Sequence, residues 1–480
     1  MSAMTPESIA AHVQDYDCLI EGVVYFWELE QEIVKQGTRE AIRSHYDQNP
    51  EDKLCHIYRP GSRDMLQCRR SGIDAIQRMS LRLVSEAPNS CDLSPQRIAE
   101  IISERVFQVA IDGVTEDEDL IRILKSYVDA SETEHVEATY HFPCVLLHCG
   151  PHHPSFGPPP DEFSLGPVTF QQIEGFLRKF NEATQAGRKS PQERAIDVFT
   201  ESGKKYGWVA SAKIPRCAPD VSRRRAEEII EAAINLLKVF IGLRYGKSMR
   251  LPHTAPARNR EICVLTDIDN NVEWTWQGRA LDGALVAGDP TVAIPAYLRR
   301  VVSNLLTEGL SGDRDEVTNR LLDALKWFGD ASFEESGGVQ IVKWIAALER
   351  LSATERLDSG ITHRFCKRVA LLASELGAGH VEKAYRDAQK AYNLRSDVMH
   401  GSRSQDDEHL LINTGLVHDL TREAILGALA MHHLVGTTIG DVRIASMVRF
   451  YEQFAHQHEA LFKQLQQEFG KKSRLKKTSP

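Results

Sequence analysis

The sequence has 480 residues, 42% of them hydrophobic and 26% charged, and its formal net charge is −9. This length allows about two to four domains, and the composition is ordinary for a globular protein. It contains no run of about 18 apolar residues that could cross a membrane, and its acidic balance argues against wholesale coating of nucleic acid while allowing a local basic groove.

The cysteines and the first residues indicate a cellular compartment. The nine cysteines are scattered without a C-x-x-C pair, a pattern that suits free thiols in a reducing cytosol. Glu7 and the polar residues around it interrupt any apolar core of a signal peptide. We therefore expect a cytoplasmic protein with no membrane partner.

Residues 1–133 are predicted to form a mostly helical N-terminal region. Thr5-Pro6-Glu7 is a typical helix start, with a capping hydroxyl, a proline and an early acid. Ile20–Val34 predicts a second helix or a mixture of strand and helix, and Asp47–Asp64 a polar connection. Two further amphipathic helices are predicted at Ile98–Val109 and Leu120–Val128.

Residues 134–293 are predicted to form an α/β or α+β domain, for which a sensing role is one interpretation. Phe163–Phe170 predicts a strand or turn, followed by a helix over Gln171–Phe180. Glu227–Leu243 is an apolar helix, and Arg258–Trp276 contains a strand pair that turns near Asp267–Asn271.

A group of histidines and cysteines within this region offers a competing metal site. Imidazole and thiolate are good Zn²⁺ ligands, and Cys144 and His148 have a spacing that could reach one ion. A closed zinc site takes paired ligands from two separate elements, and no second pair with that spacing is present. We therefore predict neither a metal nor a cofactor from this group, which comprises His141, Cys144, His148, Cys149, His152 and His153.

Residues 294–469 are predicted to form an antiparallel helical bundle, followed by a basic tail at 470–480. Apolar residues recur at helical spacing along nearly the whole segment, and short polar connections separate the helices. The predicted helices are Leu298–Leu310, one around Val317–Phe328, one around Val339–Leu348, Thr362–Leu376, one from Val381, Leu416–Val435 and Val442–Phe469. The predicted fold class is thus mainly α and multidomain.

The helix from Val381 carries the residues with the clearest chemistry. Its predicted core stripe runs from Val381 through Tyr385 to Val398 and Met399, with Arg395 among its members. A guanidinium cannot lose its charge, so Arg395 must meet a carboxylate, a phosphate or an acceptor of a partner chain.

His400 is followed directly by Gly401, a common helix stop, so the histidine is predicted on the last turn. Arg395 and His400 are five residues apart, or about 140° around a regular helix. One copy of the helix therefore does not make a compact two-residue site, but two copies across a two-fold axis could.

The stretch Leu394-Arg395-Ser-x-x-x-His400-Gly401 resembles the R-x4-6-H motif of the HEPN superfamily, in the version of its Apea-like group. The preceding order Leu325-Lys-Trp-Phe-Gly-Asp, Trp344-Ile-Ala-Ala-Leu-Glu349 and Arg368-Val-Ala-Leu-Leu is similar to that group across about 150 residues of the bundle.

This resemblance implies a metal-independent endoribonuclease that works as a homodimer. His400 would act as general base or acid and Arg395 would hold the phosphoryl oxygens. Ser396 could bond phosphate, and Asp397 could orient His400 or Arg395. The products would be a 2′,3′-cyclic phosphate and a 5′-hydroxyl.

Proteins of this kind resemble toxin-like effectors of bacterial anti-phage defence that degrade RNA, often tRNA, when a phage-derived or cellular trigger releases them. The alternatives are a non-catalytic HEPN dimerisation or interaction module, in which Arg395 pairs with Glu349 and His400 caps its helix, and a metal-dependent enzyme in the N-terminal part.

Overall fold

The structure is a computed structural model in which helices make up 74% of the described residues, so the mainly α prediction is confirmed. The described residues are 5–36, 54–61, 65–87, 90–110, 120–133, 135–146, 160–184, 207–242, 246, 249–251, 261–266, 272–277, 290–312, 314–353, 360–375, 381–437, 451 and 456–464.

The elements follow one another in a helical region, a mixed region and a second helical region. The α-helices are α1 Pro6–Gln36, α2 Arg70–Glu86, α3 Pro95–Ala110, α4 Leu120–Thr133, α5 Ile173–Thr184, α6 Pro219–Ile241, α7 Ala296–Leu310, α8 Glu316–Ala331, α9 Gly337–Ser352, α10 Ile361–Glu375, α11 Val381–Met399 and α12 Glu408–Thr437. The strands are β1 Leu54–Tyr58, β2 Met65–Arg69, β3 Val136–Cys144, β4 Glu162–Leu165, β5 Val168–Gln172, β6 Trp208–Cys217, β7 Glu261–Thr266 and β8 Val272–Gln277.

The chain divides into two compact units, one of residues 1–138 with 214–225 and one of residues 139–213 with 226–480. The second unit includes most of the strands of the mixed region, without the start of β3 and the end of β6, together with the helices after residue 290. The predicted domain boundary between residues 293 and 294 therefore falls inside one compact unit.

The first unit is built on α1 to α4. The predicted start of α1 is confirmed, because Thr5 Oγ1 accepts a hydrogen bond of 3.2 Å from the Ser8 N–H. Apolar side chains of the helices form the core, among them Leu19, Met79 and Phe107. The unit thus buries the amphipathic faces that the sequence pattern indicates.

Two predictions for this unit were wrong in detail. Ile20–Val34 is the continuation of α1 and contains no strand. Part of the predicted polar connection is β1, which pairs antiparallel with β2 through partners such as Ile57 and Leu66. A five-residue strand with one fully buried side chain, Ile57, has little periodic signal of its own, and it is the pairing with β2 that stabilises it.

The mixed region contains a four-stranded sheet in the order β3-β6-β5-β4. The prediction of a strand or turn at Phe163–Phe170 is confirmed, because β4 and β5 form an antiparallel hairpin with Gly166 at φ +59 in its turn. β5 also pairs antiparallel with β6. The strand pair predicted around Asp267–Asn271 is confirmed as β7 and β8, while the turn itself lies outside the described residues.

The second helical region is organised around α12, which packs against each of the helices α7 to α11. α12 buries side chains such as Val417, Ala424 and Leu429 against these helices, and it leaves a stripe from Ile412 through Asp419 to Glu423 exposed. Close packing is visible at Gly427, where an added Cβ would lie 2.0 Å from the carbonyl oxygen of Leu372 on α10. Of the helix predicted at Val442–Phe469, residues 451 and 456–464 are described, and a 3₁₀ turn interrupts them at His456–His458.

None of the described helices is both long enough and apolar enough to span a membrane.

Candidate functional site

α11 positions the residues of the predicted Arg/His motif. It begins at Val381, as predicted, and its buried side chains are Ala384, Tyr385, Ala388, Ala391 and Leu394. The predicted extension of this buried stripe was wrong, because Met399 is 58% exposed. Met399 and His400 are exposed and the residues from Arg395 to Val398 are partly buried, so the end of α11 is accessible to solvent.

The end of α11 is a Schellman motif. Gly401 has φ +70, and its N–H donates to the Val398 carbonyl oxygen at 3.1 Å. The Ser402 N–H donates to the Asp397 carbonyl oxygen at 2.9 Å. These two bonds satisfy carbonyls that the helix leaves without partners. The predicted stop at Gly401 is confirmed, and His400 is the exposed residue that caps the helix.

Arg395 lies at the boundary between core and solvent, with 29% of its side chain exposed. Its Nη2 is 3.6 Å from Glu349 Oε2 on α9, whose side chain is 32% exposed. Its guanidinium also lies 5.8 Å from the centre of the Tyr392 ring. A carboxylate therefore meets the guanidinium, as the sequence requires, and part of the guanidinium still faces solvent.

Asp397 is held by Arg403, which follows it after the turn. Arg403 Nε donates to Asp397 Oδ2 at 3.3 Å and Nη1 donates to Asp407 Oδ2 at 3.5 Å. Asp407 caps α12 by accepting from the His409 N–H at 2.8 Å. Arg403 thus links the end of α11 to the start of α12, and Asp397 is bonded to Arg403 rather than to His400 or Arg395.

Ser396 lies between the two motif residues and is part of the helix end. Its carbonyl oxygen accepts the His400 N–H at 2.9 Å, and its side chain is partly buried. A hydroxyl at this position is close in sequence to both charged groups.

The loop after His400 is fastened to the start of α9. The Gln405 carbonyl oxygen accepts from the Gly338 N–H at 2.8 Å and from the Ser336 hydroxyl at 2.9 Å. A Cβ on Gly338 would lie 2.8 Å from the backbone of Gln405, so the small residue permits this approach. The turn that carries His400 is therefore anchored at both ends.

The arrangement supplies one guanidinium and one imidazole at the exposed end of a single helix. The guanidinium can bind phosphoryl oxygens through paired donors, and an imidazole can transfer protons near neutral pH. Because the side chains leave the helix about 140° apart, a second copy would be needed to place both against one phosphate.

The residues of the competing metal site are only partly described. Cys144 is fully buried and burial raises the pKa of its thiol, so it is a poor source of thiolate. His148, Cys149, His152 and His153 lie outside the described residues. Within the part of the chain that the structure describes, no three His, Cys, Asp or Glu side chains converge as metal ligands would.

Sequence analysis missed a buried cation in α6. Lys238 is 2% exposed, its Nζ donates to Ser332 Oγ at 3.3 Å, and it lies 4.0 Å above the Phe333 ring. Burial lowers the pKa of Lys238 to about 7. The signal was present, since this lysine interrupts an apolar helix, but lysines on such helices usually extend to solvent.

Comparisons with known proteins identify no related protein for this chain. No protein-family model matches the chain, and searches of curated proteins and of solved structures find no match either.

Proposed function

We propose that the chain is a metal-independent endoribonuclease of the HEPN kind that cleaves RNA as a homodimer. The observation that carries the proposal is the end of α11, where Arg395 and His400 are both accessible to solvent on a turn anchored from both sides. Helices α9, α10 and α12 pack against α11. The sequence motifs on which the resemblance rests lie on α8 to α11.

The chemistry follows from the two side chains. His400 moves a proton to or from the 2′-hydroxyl of the substrate, which attacks the adjacent phosphorus. Arg395 stabilises the negative charge that develops on the phosphoryl oxygens. The products are a 2′,3′-cyclic phosphate and a 5′-hydroxyl, and DNA is spared because it has no 2′-hydroxyl.

The biological role in this proposal is that of a cytoplasmic effector of bacterial anti-phage defence. The residues before the bundle would restrain the nuclease until a phage-derived or cellular trigger arrives, and tRNA is one candidate substrate. These roles rest on the sequence resemblance and on the length of chain before the bundle, which a nuclease alone does not require.

A non-catalytic dimerisation or interaction module is the second candidate. It is favoured by the contact of Arg395 with Glu349, by the position of His400 as a helix cap, and by the use of Asp397 in the Arg403 link. Each of these contacts is explained by a structural role alone and does not require catalysis.

The test compares wild type, Arg395→Ala and His400→Ala on total cellular RNA in the presence of EDTA, with mapping of the product ends. His409→Ala is the matched control, because this exposed histidine lies on the neighbouring helix start and outside the motif. Loss of a general acid or base typically slows a reaction about 10²- to 10⁴-fold. We expect cyclic-phosphate ends from wild type and control, and at least a 100-fold loss in both motif variants.

Oligomeric state is measured in parallel. If wild type is inert, the assay is repeated with extract from phage-infected cells, which supplies candidate triggers. Intact dimers that remain silent under both conditions would contradict the nuclease proposal and favour the interaction module.

A further inference from the structure

A row of polar side chains crosses the four-stranded sheet on one face. Ser164 of β4 and Thr169 of β5 are paired in register, and their hydroxyl oxygens lie 3.1 Å apart. Thr169 is paired in turn with Ser211 of β6, whose Oγ lies 2.7 Å from Nδ1 of His141 on β3. Directly opposite residues of paired strands project to the same face, so three hydroxyls and one imidazole form a continuous row.

This row is accessible, unlike the opposite face of the sheet. Ser164 is exposed, and the other three members are only partly buried. The side chains that alternate with them along the strands are fully or almost fully buried, among them Phe163, Leu165, Phe170, Ala210 and Ala212. A small molecule can therefore approach the row.

One end of the row has an apolar wall. Phe176 of α5 lies with its ring centre 4.9 Å from that of His141. Phe176 packs with Ile173 and Val209 in a small apolar cluster. The imidazole is thus fixed between a hydroxyl on one side and an aromatic ring on another, which limits its rotation.

We propose that His141 and Ser211 form a base and nucleophile pair that accepts an acyl group from a small carboxylic ester. A serine hydroxyl is a weak nucleophile until a neighbouring base removes its proton, and the distance of 2.7 Å is within the range for that transfer.

Burial lowers the pKa of His141, so its imidazole is neutral near pH 7 and can accept a proton. Thr169 lies directly opposite Ser211 on β5 and supplies a hydroxyl donor for a developing oxyanion, while Ser164 is one strand further away and holds the Thr169 hydroxyl in place. The aromatic ring of Phe176 gives the apolar part of an ester a surface to contact.

The reaction consists of acylation of Ser211 followed by deacylation by water. Ser211 Oγ forms a bond to the ester carbonyl carbon while its proton passes to His141 Nδ1, and the carbonyl electron pair moves onto oxygen. The intermediate then collapses, the bond to the alcohol oxygen breaks, and that oxygen takes the proton from His141. Water repeats the sequence on the acyl-enzyme and releases a carboxylic acid.

The experiment uses the full chain with p-nitrophenyl acetate and, separately, a fluorophosphonate probe, followed by intact mass measurement and peptide mapping. We expect one adduct on the peptide that contains Ser211, and none in Ser211→Ala. The loss of a general base predicts labelling at least about 100-fold slower in His141→Gln. Ser85→Ala is the matched control, since its hydroxyl donates only to a backbone carbonyl on α2, and it should label as wild type does.

Two further variants keep the test decisive. Thr169→Val preserves shape but removes the opposite hydroxyl, and we expect about 100-fold slower labelling with the adduct still on Ser211. Arg395→Ala should label normally, because this site does not depend on the proposed nuclease. Absence of an adduct on the wild type, or an adduct that Ser211→Ala retains, would overturn the proposal.

Discussion

Substitution of Lys238 by methionine should stabilise the packing of α6 against the end of α8 at neutral pH and remove a specific pH dependence. The lysine is buried, and its surroundings lower its pKa from 10.5 to about 7. Burial is the main cause and Arg250 adds to it, whereas the carboxylates of Glu231 and Asp330 oppose the change. Methionine is similar in length and carries no charge to desolvate.

The sign of the pH dependence follows from proton binding. Between pH 7 and 10.5 the unfolded chain keeps a proton on this lysine that the folded chain has lost, so the free energy of unfolding rises with pH. One pKa unit corresponds to about 1.4 kcal/mol, which makes the whole difference roughly 5 kcal/mol. Because the folded lysine is half protonated at pH 7, the rise from pH 7 to pH 8.5 is about 1.5 kcal/mol.

The pH range is chosen so that other groups contribute little. Thiols and phenols whose pKa burial raises, such as those of Cys366 and Tyr451, reduce stability only above the ordinary values of 9.0 and 10.0. Histidines whose pKa burial lowers, such as His363 and His418, titrate below pH 6.5. Lys238 is therefore the main group expected to titrate between pH 7 and 8.5 among those with a shifted pKa.

The assay is native-state hydrogen exchange of peptides from α6 and α8, corrected for the intrinsic exchange rate at each pH. Local opening free energies are used because a chain with two compact units need not unfold in one step. Lys383→Met is the control, since that lysine is 79% exposed. The opening free energy of the wild type should rise between pH 7 and 8.5 by more than that of Lys238→Met. An equal pH dependence in the two proteins would refute the reasoning.

Three further predictions concern stability and are checked by thermal unfolding of purified variants. Gly427→Ala should lower the free energy of unfolding by about 1–3 kcal/mol, because the new methyl group meets the Leu372 carbonyl. Gly415→Ala in the same helix has open space around it and should be neutral or stabilising by up to about 1 kcal/mol. Equal effects of the two substitutions would contradict the close packing at Gly427. Gly401→Ala should lower the free energy of unfolding by about 1–2 kcal/mol, since alanine is strained at φ +70. An unchanged midpoint of thermal unfolding would show that the turn relaxes to accommodate alanine. Glu349→Ala should lower the free energy of unfolding by less than about 1 kcal/mol, because both Glu349 and its ion-pair partner Arg395 are partly exposed. A larger loss would mean that this ion pair is a structural anchor.

Local chemistry in the sequence predicted several features that the structure contains. The Thr5 cap, the Gly401 stop and the β4–β5 hairpin each depend on a few neighbouring residues. The long helices of residues 296–399 follow from apolar periodicity, which reports the face that a helix must bury. For these features the signal and the structure lie within the same short segment, so one sequence was sufficient.

Tertiary structure decided what depends on partners distant in the chain. β1 exists because β2 pairs with it, and Lys238 is buried because Ser332 and Phe333, which directly follow α8, cover it. The exposure of Met399 depends on where the neighbouring helices end, and the link between Asp397 and Arg403 depends on the course of the turn. The sequence by itself determined which residues cap, turn and face a core, whereas the packing of distant segments determined which charges are buried and which remain available for chemistry.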